Sequence, residues 1–164
     1  MMKNTGTLSV TTPTEREIVV TRVFNAPRRM VWDAMSKPEL IRRWLFGPPG
    51  WTMTVCDDDA RTGGSFHWAW SGPNGEQLAM RGAYREVVPQ ERIVRTESFE
   101  MGCGNQAGEQ LCTMTLIEQG GRTHLKLVIA YPSREARDGA LASGMDKGMQ
   151  AGYDRLEEML TSNT

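Results

Sequence analysis

The chain has 164 residues, with 19 basic and 20 acidic side chains and a formal net charge of −1. This length fits a single domain with a sizeable core, and the balanced charge argues against a nucleic-acid-binding surface. No apolar stretch reaches the roughly 18 residues of a membrane span, so no membrane association is expected.

The N-terminal residues 1–14 are rich in Thr and Ser and lack the apolar segment of a signal peptide. They predict a disordered tail before a single domain at 15–162. The three cysteines, Cys56, Cys103 and Cys112, are odd in number and have no CxxC spacing. They therefore indicate neither a disulfide framework nor a zinc site, and they predict a reduced, cytoplasmic protein.

The first predicted strand covers 17–25 (EIVVTRVFN), which is dense in β-branched residues. Two short helices follow, at 28–36 and at 38–45. Pro27 precedes the first helix and Pro38 begins the second, and the fixed φ of proline suits the start of a helix. Because two such short helices cannot form a bundle alone, we expect them to close one end of a larger sheet.

Beyond the turn at 47–50 (GPPG), apolar and polar residues alternate with the period of two that is typical of half-buried strands. Six further strands are predicted, at 51–56, 65–70, 77–88, 92–99, 110–118 and 123–131. Their short connections, such as the GPNG turn at 72–75, favour an antiparallel meander. The Gly-rich stretch 101–109 is the one long loop.

A proline-free stretch at 133–160 predicts one long amphipathic helix at the C-terminus. Its apolar residues, Leu141, Met145, Met149, Leu156, Met159 and Leu160, fall within an arc of roughly 120°. Gly144, Gly148 and Gly152 lie on or beside this arc. Glycine inside a helix costs about 1 kcal/mol relative to alanine, so the three predict a close approach of the sheet or of a ligand.

The same helical wheel makes a specific prediction about four residues of this helix. Met145 and Met149 should face the interior, and Gly148 should have no room for a larger side chain. Gly148→Leu should therefore be harmful, whereas Gln150→Ala, on the opposite face, should be nearly neutral.

The order of these elements and several segments resemble the SRPBCC superfamily, also called START-like or Bet v 1-like, and within it the AHSA1 group. The segments are at 21–45 (TRVFNAPRRMVWDAMSKPELIRRWL), 61–66 (RTGGSF), 82–94 (GAYREVVPQERIV) and 133–160 (SREARDGALASGMDKGMQAGYDRLEEML). The resemblance covers residues 15–162. It implies an α+β helix-grip fold: a curved, seven-stranded antiparallel sheet around a long C-terminal helix, with two short helices after the first strand and a deep cavity.

The AHSA1 group takes its name from the C-terminal domain of the activator of Hsp90 ATPase, a co-chaperone with a separate N-terminal Hsp90-binding domain. The residues before 15 contain no counterpart of that domain. An Hsp90 partner is therefore not expected.

The candidate ligand-binding residues are aromatic and methionine side chains on the predicted inner faces, with two polar side chains among them. They are Trp51, Met53, Phe66, Trp68, Trp70, Met80, Tyr84, Met114, Met145, Met149 and Arg22. Methionine adapts to varied apolar shapes, and Trp and Tyr offer flat surfaces with one polar tip each. The set predicts a cavity for a small hydrophobic or aromatic molecule, although each residue alone could simply fill the core. Arg22 could also serve only to reach a carboxylate at the cavity rim.

Metal sites are not expected. His67 and His124 have no carboxylate or cysteine at ligand spacing, and the acidic run 57–59 lacks the alternation and glycine of a calcium loop. We interpret that run as the solvated end of a strand, close to Arg61.

Catalytic and cofactor-binding motifs are also missing, because the sequence contains no nucleophile elbow, P-loop or dinucleotide fingerprint. We therefore predict no cofactor and assign no catalytic residue. Cys56 and Cys112 are interpreted as buried, inert thiols.

Three functional hypotheses follow, and the first is a cytoplasmic protein that holds a small hydrophobic molecule in an internal cavity. The second is a polyketide-cyclase-like or hydrolase-like enzyme that uses the same cavity, which converging polar groups with shifted pKa values would favour. The third is an Hsp90-associated co-chaperone. Exposed strand edges in this fold also permit a homodimer.

Overall fold

The computed structural model describes residues 8–100 and 105–162, without the side chains of 105–107. In it, the segments of alternating apolar and polar residues form an eight-stranded antiparallel sheet. The strands are β1 (Ser9–Thr11), β2 (Glu17–Phe24), β3 (Thr52–Asp58), β4 (Ser65–Ser71), β5 (Gln77–Val88), β6 (Arg92–Glu100), β7 (Asn105–Gln119) and β8 (Arg122–Ala130). Their order across the sheet is β1-β2-β8-β7-β6-β5-β4-β3. The strand β2 therefore lies beside β8, and β3 to β8 form the predicted meander.

Four helices accompany the sheet: α1 (Arg28–Ser36), α2 (Pro38–Ile41), α3 (Arg134–Ala142) and α4 (Met145–Thr161). The bounds of α1 match the prediction, and Pro38 stands at the start of α2 as expected. The curved sheet around a C-terminal helix confirms the α+β helix-grip fold. None of the helices in the described residues is long and apolar enough to cross a membrane.

The N-terminal tail prediction is wrong for residues 9–11, which form the additional strand β1. Val10 pairs with Val20 of β2. The backbone N–H of Leu8 donates a hydrogen bond of 3.1 Å to Gln150 Oε1 of α4. A strand this short has no periodicity of its own, so its partners in β2 and α4 determine its conformation.

The predicted loop at 101–109 is also too long, because β7 begins at Asn105 and pairs with the end of β6. Residues 101–104, including Cys103, lie outside the described residues.

The C-terminal helix is two helices rather than one. It breaks at Ser143 and Gly144, where Gly144 has a φ of 84°. Such a positive φ is readily adopted by glycine, and it starts α4 in a new direction. Ser133 caps α3 by accepting a hydrogen bond of 3.0 Å from the backbone N–H of Ala136.

The expected close approach at the glycines of α4 is wrong. A Cβ added at Gly148 would meet nothing within 4 Å, and at Gly152 it would meet only the ring of Trp44 at an ordinary 3.9 Å. By contrast, Gln150 is half-buried and joins β1 to Asp154, to which its Nε2 donates a bond of 2.9 Å. The structure thus reverses the expectation that Gly148 is the sensitive position and Gln150 the tolerant one.

We expect Gly148→Ala to raise the free energy of unfolding by about 0.5–1 kcal/mol, because alanine is the better helix former and its Cβ would lie in open space. Gly144→Ala should instead lower it, since alanine is strained at a φ of 84°. Urea unfolding of both variants measures the two shifts. Destabilisation by Gly148→Ala would mean that the helix is packed more tightly than the structure shows.

Three side chains hold α4 against the sheet and the short helices. Arg22, which points inward from β2, donates a 2.9 Å hydrogen bond to Asp154. Tyr153 packs edge-on against Phe24, with 5.6 Å between the ring centroids. Arg155 donates a 3.0 Å bond to the carbonyl of Trp44, which follows α2. These contacts fix the face that α4 presents to the interior.

Candidate ligand-binding site

An aromatic wall, formed by Phe66, Trp68 and Trp70 of β4, lines the inner face of the sheet. The three residues alternate along the strand, so all three point to the same side and are buried. Their ring centroids are 4.5 Å apart for Phe66 and Trp68 and 6.5 Å apart for Trp68 and Trp70. The Trp70 indole donates a 2.7 Å hydrogen bond to the carbonyl of Leu45, which holds the ring in place.

Gly82 of β5 makes room for this wall. It pairs with Phe66, and a Cβ at this position would collide with the Phe66 ring and with the carbonyl oxygen of Thr96. The missing side chain therefore lets the Phe66 ring lie directly over β5 and β6.

A group of polar side chains lies on the inner face next to the aromatic wall, and we call it the polar cluster. It consists of Asp58, Tyr84, Arg95, Glu97 and Gln110. Tyr84 Oη donates to Asp58 Oδ1 at 2.5 Å. Arg95 Nε donates to Glu97 Oε2 at 2.9 Å, and Gln110 Nε2 donates to Glu97 Oε1 at 2.9 Å. The cluster thus connects four strands of the sheet from within.

Arg95 joins the polar cluster to the aromatic wall. The centre of its guanidinium lies 4.9 Å from the Phe66 ring centroid and 5.0 Å from that of Trp68. The Trp68 indole in turn donates a 3.1 Å hydrogen bond to Asp58 Oδ2. At these distances a cation is attracted to the face of an aromatic ring, so the wall helps to hold Arg95 in place.

Burial shifts the pKa values of the cluster. It raises the pKa of the Asp58 carboxyl, an effect that the hydrogen bond from Tyr84 and the charge of Arg95 oppose. Burial also raises the pKa of Tyr84. For Arg95, burial acts in the opposite direction, but the neighbouring carboxylate of Glu97 keeps its pKa above the usual value. Arg95 and Glu97 therefore form a charged pair in the interior.

Two further tyrosines approach the polar cluster. Tyr153 of α4 and Tyr131, just after β8, are buried, and burial raises the pKa of both. The negative charge of Glu97 contributes to the raised pKa of both tyrosines, so both lie within electrostatic range of the cluster. Within the described part of the chain, neither hydroxyl has a hydrogen-bond partner. Each is free to bond to a ligand or to water.

The structure places the predicted site residues in two groups. Buried residues are Arg22, Met53, Phe66, Trp68, Trp70, Met80, Tyr84 and Met114, and half-buried residues are Trp51, Met145 and Met149. Arg22 does not converge with Tyr84. It lies four strands away, on β2, and its guanidinium contacts Asp154 at 2.9 Å and Glu157 at 3.8 Å. Arg22 therefore reaches a carboxylate, as the alternative interpretation anticipated.

Two pockets of comparable size lie outside this interior. The first, of about 450 Å³, separates β1 from α4 and is lined by Leu8, Val10, Asp146, Lys147, Gln150, Ala151 and Asp154. The second, of about 430 Å³, lies between α1, α2 and the end of α4 and is lined by Met30, Asp33, Ala34, Leu40, Arg43, Met159, Leu160 and Ser162. We call the second the outer pocket. None of the predicted site residues lines either one.

The family described as "Activator of Hsp90 ATPase homolog 1-like protein" matches residues 25–161. The chain belongs to this family, AHSA1. It is also similar to solved structures over nearly its whole length. No curated protein is significantly similar to it.

A protein from Rhodobacter sphaeroides is 29% identical, with a TM-score of 0.88 and coverage of 95% of this chain and 99% of that one. A protein from Staphylococcus epidermidis is 27% identical, with a TM-score of 0.79 and 94% coverage of both chains. Protein Ms6760 from Mycobacterium smegmatis is 24% identical, with a TM-score of 0.80 and coverage of 95% and 99%. These matches support the SRPBCC fold of this AHSA1 chain.

Sequence reasoning missed Asp58, Arg95, Glu97 and Gln110. In β6, Arg95 and Glu97 follow the buried Ile93 by two and four residues, so the period of two of a strand could have placed them on the same face. Tyr131 and Tyr153 were missed as well, since they lie at an element end and on a helix face.

Asp58 was assigned to the solvated end of a strand, and that interpretation is wrong. A bulge between Met53 and Val55 shifts the register, so Cys56 rather than Val55 is buried and Asp58 turns inward. The neighbouring Asp59 does form the expected surface pair with Arg61, at 2.8 Å.

The remaining reactive side chains lie apart from the polar cluster or are inactivated by burial. Cys56 and Cys112 are free and buried, as predicted, and burial raises the pKa of Cys56 to about 11. His67 is half-exposed on the far side of β4, and His124 is exposed. Within 8–100 and 105–162, no three His, Cys, Asp or Glu side chains are grouped so that they could hold a metal ion.

Proposed function

We propose that this AHSA1 protein binds a small, planar, largely apolar molecule between the sheet and α4, against the aromatic wall. The observation that carries the proposal is the environment of Arg95. Its guanidinium stacks on two interior rings, yet 18% of its side-chain surface is accessible. This accessibility supports a ligand space beside the wall, near tyrosine hydroxyls that have no hydrogen-bond partner among the described residues.

A route into the interior is proposed at α3. This helix contains no buried residue, and only its half-buried Ala136, Ala140 and Leu141 pack against the core. It joins α4 through Gly144, whose φ of 84° marks the break. Because few contacts hold α3, its displacement about Gly144 would open the interior while α4 stays attached through Arg22 and Tyr153.

N-phenyl-1-naphthylamine, a neutral aromatic probe whose fluorescence rises in apolar surroundings, tests the proposal. Wild-type protein should bind it saturably, and Trp68→Leu should weaken binding by about tenfold, because it removes a flat interior surface. Met159→Leu, in the outer pocket, is the matched control and should leave the affinity unchanged. Absence of saturable binding, or sensitivity of Met159 instead of Trp68, would refute the interior site.

A second candidate function, acid–base chemistry on the bound molecule, is favoured by the Asp58–Tyr84 hydrogen bond. Burial raises the pKa of both groups, and positioned acids and bases of this kind mark catalytic sites. Asp58→Asn would then trap substrate. Native mass spectrometry of freshly purified proteins should find a different bound mass in this variant than in wild type. Identical masses, or an empty variant and an empty wild type, would argue against catalysis.

A further inference from the structure

The outer pocket is an apolar depression that the proposed function does not use. Its apolar lining consists of Met30 and Ala34 of α1, Leu40 of α2, and Met159 and Leu160 of α4. Three of these side chains, those of Met30, Leu40 and Met159, are only half-buried and keep part of their apolar surface accessible. The volume of about 430 Å³ lies within the roughly 300–1,000 Å³ of small-molecule pockets.

This lining suits a flexible alkyl chain better than a rigid ring. Methionine and leucine side chains adapt to the shape of what they contact, and no aromatic ring lines the pocket among the described residues. Leu40 is half-buried but does not pack against the hydrophobic core of the described part of the chain. Each methylene group that a ligand buries on such a surface strengthens binding by up to about fourfold.

One cation lines the outer pocket without a partner. Arg43 follows α2 by two residues and is exposed, and within residues 8–100 and 105–162 its side chain makes no ion pair or hydrogen bond. The carboxylate in the lining belongs to Asp33, and its Oδ2 lies 3.7 Å from Lys37 Nζ. Because Lys37 offsets Asp33, the charge of Arg43 is left uncompensated at the pocket.

The charges around the pocket favour the same kind of ligand. Residues 28–43, which include α1 and α2, carry five cations and two carboxylates. On α4, the exposed Glu158 does not line the pocket, and Glu157 accepts a hydrogen bond of 3.1 Å from the backbone N–H of Asn25. An anion is therefore favoured over a cation here.

We propose that the outer pocket binds a small anionic amphiphile from solution, a medium-chain alkyl carboxylate. Its chain lies along Met30, Leu40 and Met159, and its carboxylate accepts hydrogen bonds from Arg43. A guanidinium presents paired N–H donors that match the two oxygens of a carboxylate. This site is separate from the interior and does not depend on the proposed function. The neutral N-phenyl-1-naphthylamine carries no anion for Arg43.

Three compounds with the same ten-carbon chain and different charge test the proposal: decanoate, 1-decanol and decyltrimethylammonium, each titrated as monomers. The NMR signals of the methionine methyl groups report where they bind. Decanoate should shift the signals of Met30 and Met159 saturably and leave those of Met53, Met80 and Met114 in place. It should bind at least about fivefold more tightly than decanol, and the ammonium compound should bind most weakly.

Arg43→Gln should weaken decanoate binding by about fivefold, to the affinity of decanol, without unfolding the protein, because the side chain is exposed and unpaired. Arg85→Gln, at an exposed arginine of β5 outside the pocket lining, is the matched control and should bind decanoate like wild type. Leu40→Asn should weaken decanoate and decanol alike, since it removes apolar contact surface from the pocket.

The proposal is overturned if decanoate does not bind, if the ammonium compound binds equally well, if Arg43→Gln keeps the wild-type affinity, or if only the interior methionines shift. Co-sedimentation with phosphatidylglycerol vesicles separates a soluble ligand from a membrane surface. Vesicle binding that depends on Arg43, without binding of monomeric decanoate, would likewise overturn it. The interior site is tested with a different probe and different methionines, so it stands or falls independently.

Discussion

Replacing Arg95 with Met should lower the free energy of unfolding by about 3–5 kcal/mol, because it leaves the carboxylate of Glu97 buried without its cation. The Glu97 side chain is only 5% exposed. Glu97→Gln should destabilise the protein to a comparable extent, because it leaves the guanidinium of Arg95 in the interior without its carboxylate. The double variant Arg95→Met/Glu97→Gln should be destabilised by much less than the sum of the two single-variant effects. Urea unfolding of the wild type, both single variants and the double variant gives the coupling free energy between Arg95 and Glu97.

The surface pair of Arg92, on β6, and Glu86, on the neighbouring strand β5, provides a control with the same residue types. Their 2.8 Å ion pair is 45% and 44% exposed. Because water screens such a pair, Arg92→Met should change the free energy of unfolding by less than about 1 kcal/mol. Equal effects of Arg92→Met and Arg95→Met would show that Arg95 is as hydrated as a surface residue, which contradicts an interior cluster.

Stability should fall steeply as the pH rises above about 9, since the folded protein holds protons that the unfolded chain releases. Burial raises the pKa of Cys56 from 9.0 to about 11, and it also raises the pKa of Cys112 and of the three tyrosines, whose ordinary value is 10.0. For a raised pKa, the stabilisation is fully present below the unfolded value and is lost as the pH rises through the folded value. Cys56 alone should account for about 2 kcal/mol between pH 9 and 11.

Urea unfolding at several pH values between 7 and 11 measures this loss. Cys56→Ala should make the decline between pH 9 and 11 shallower, because one of the protons released on unfolding is then missing. Thr52→Ala, at an exposed position of the same strand, should leave the slope unchanged. Parallel curves for wild type and Cys56→Ala would mean that this thiol is not protected by burial.

The sequence predicts most of the fold where one short-range pattern dominates. The alternation of Phe66, Trp68 and Trp70 identifies the inner face of β4, and Pro27 marks the start of α1 within one residue. These features depend on local geometry alone, since a strand alternates its side chains and a proline fixes its own φ.

What the sequence did not predict depends on contacts between distant segments or on a single backbone angle. β1 exists because Val20 and Gln150 hold it, and neither is near it in the chain. Gly144 divides the C-terminal helix through one positive φ, which the apolar arc of residues does not reveal.

The apolar residues of the candidate site and Tyr84 were predicted from the sequence, whereas the other four residues of the polar cluster were missed. The aromatic wall follows from alternation, but Asp58 depends on a bulge that reverses the register of β3. Arg95 and Glu97 follow the same alternation as Ile93. They were overlooked because two charged residues are rarely placed in an interior unless they pair with each other.

The NMR signals of the methionine methyl groups, recorded during titration with N-phenyl-1-naphthylamine, test the interior site most directly. Met53, Met80 and Met114 lie on the inner face of the sheet, whereas Met30 and Met159 line the outer pocket. The methyl signals of the first three should shift saturably, while those of the other two stay in place. Shifts confined to Met30 and Met159, or no saturable shift at any of the five, would contradict a ligand site between the sheet and α4.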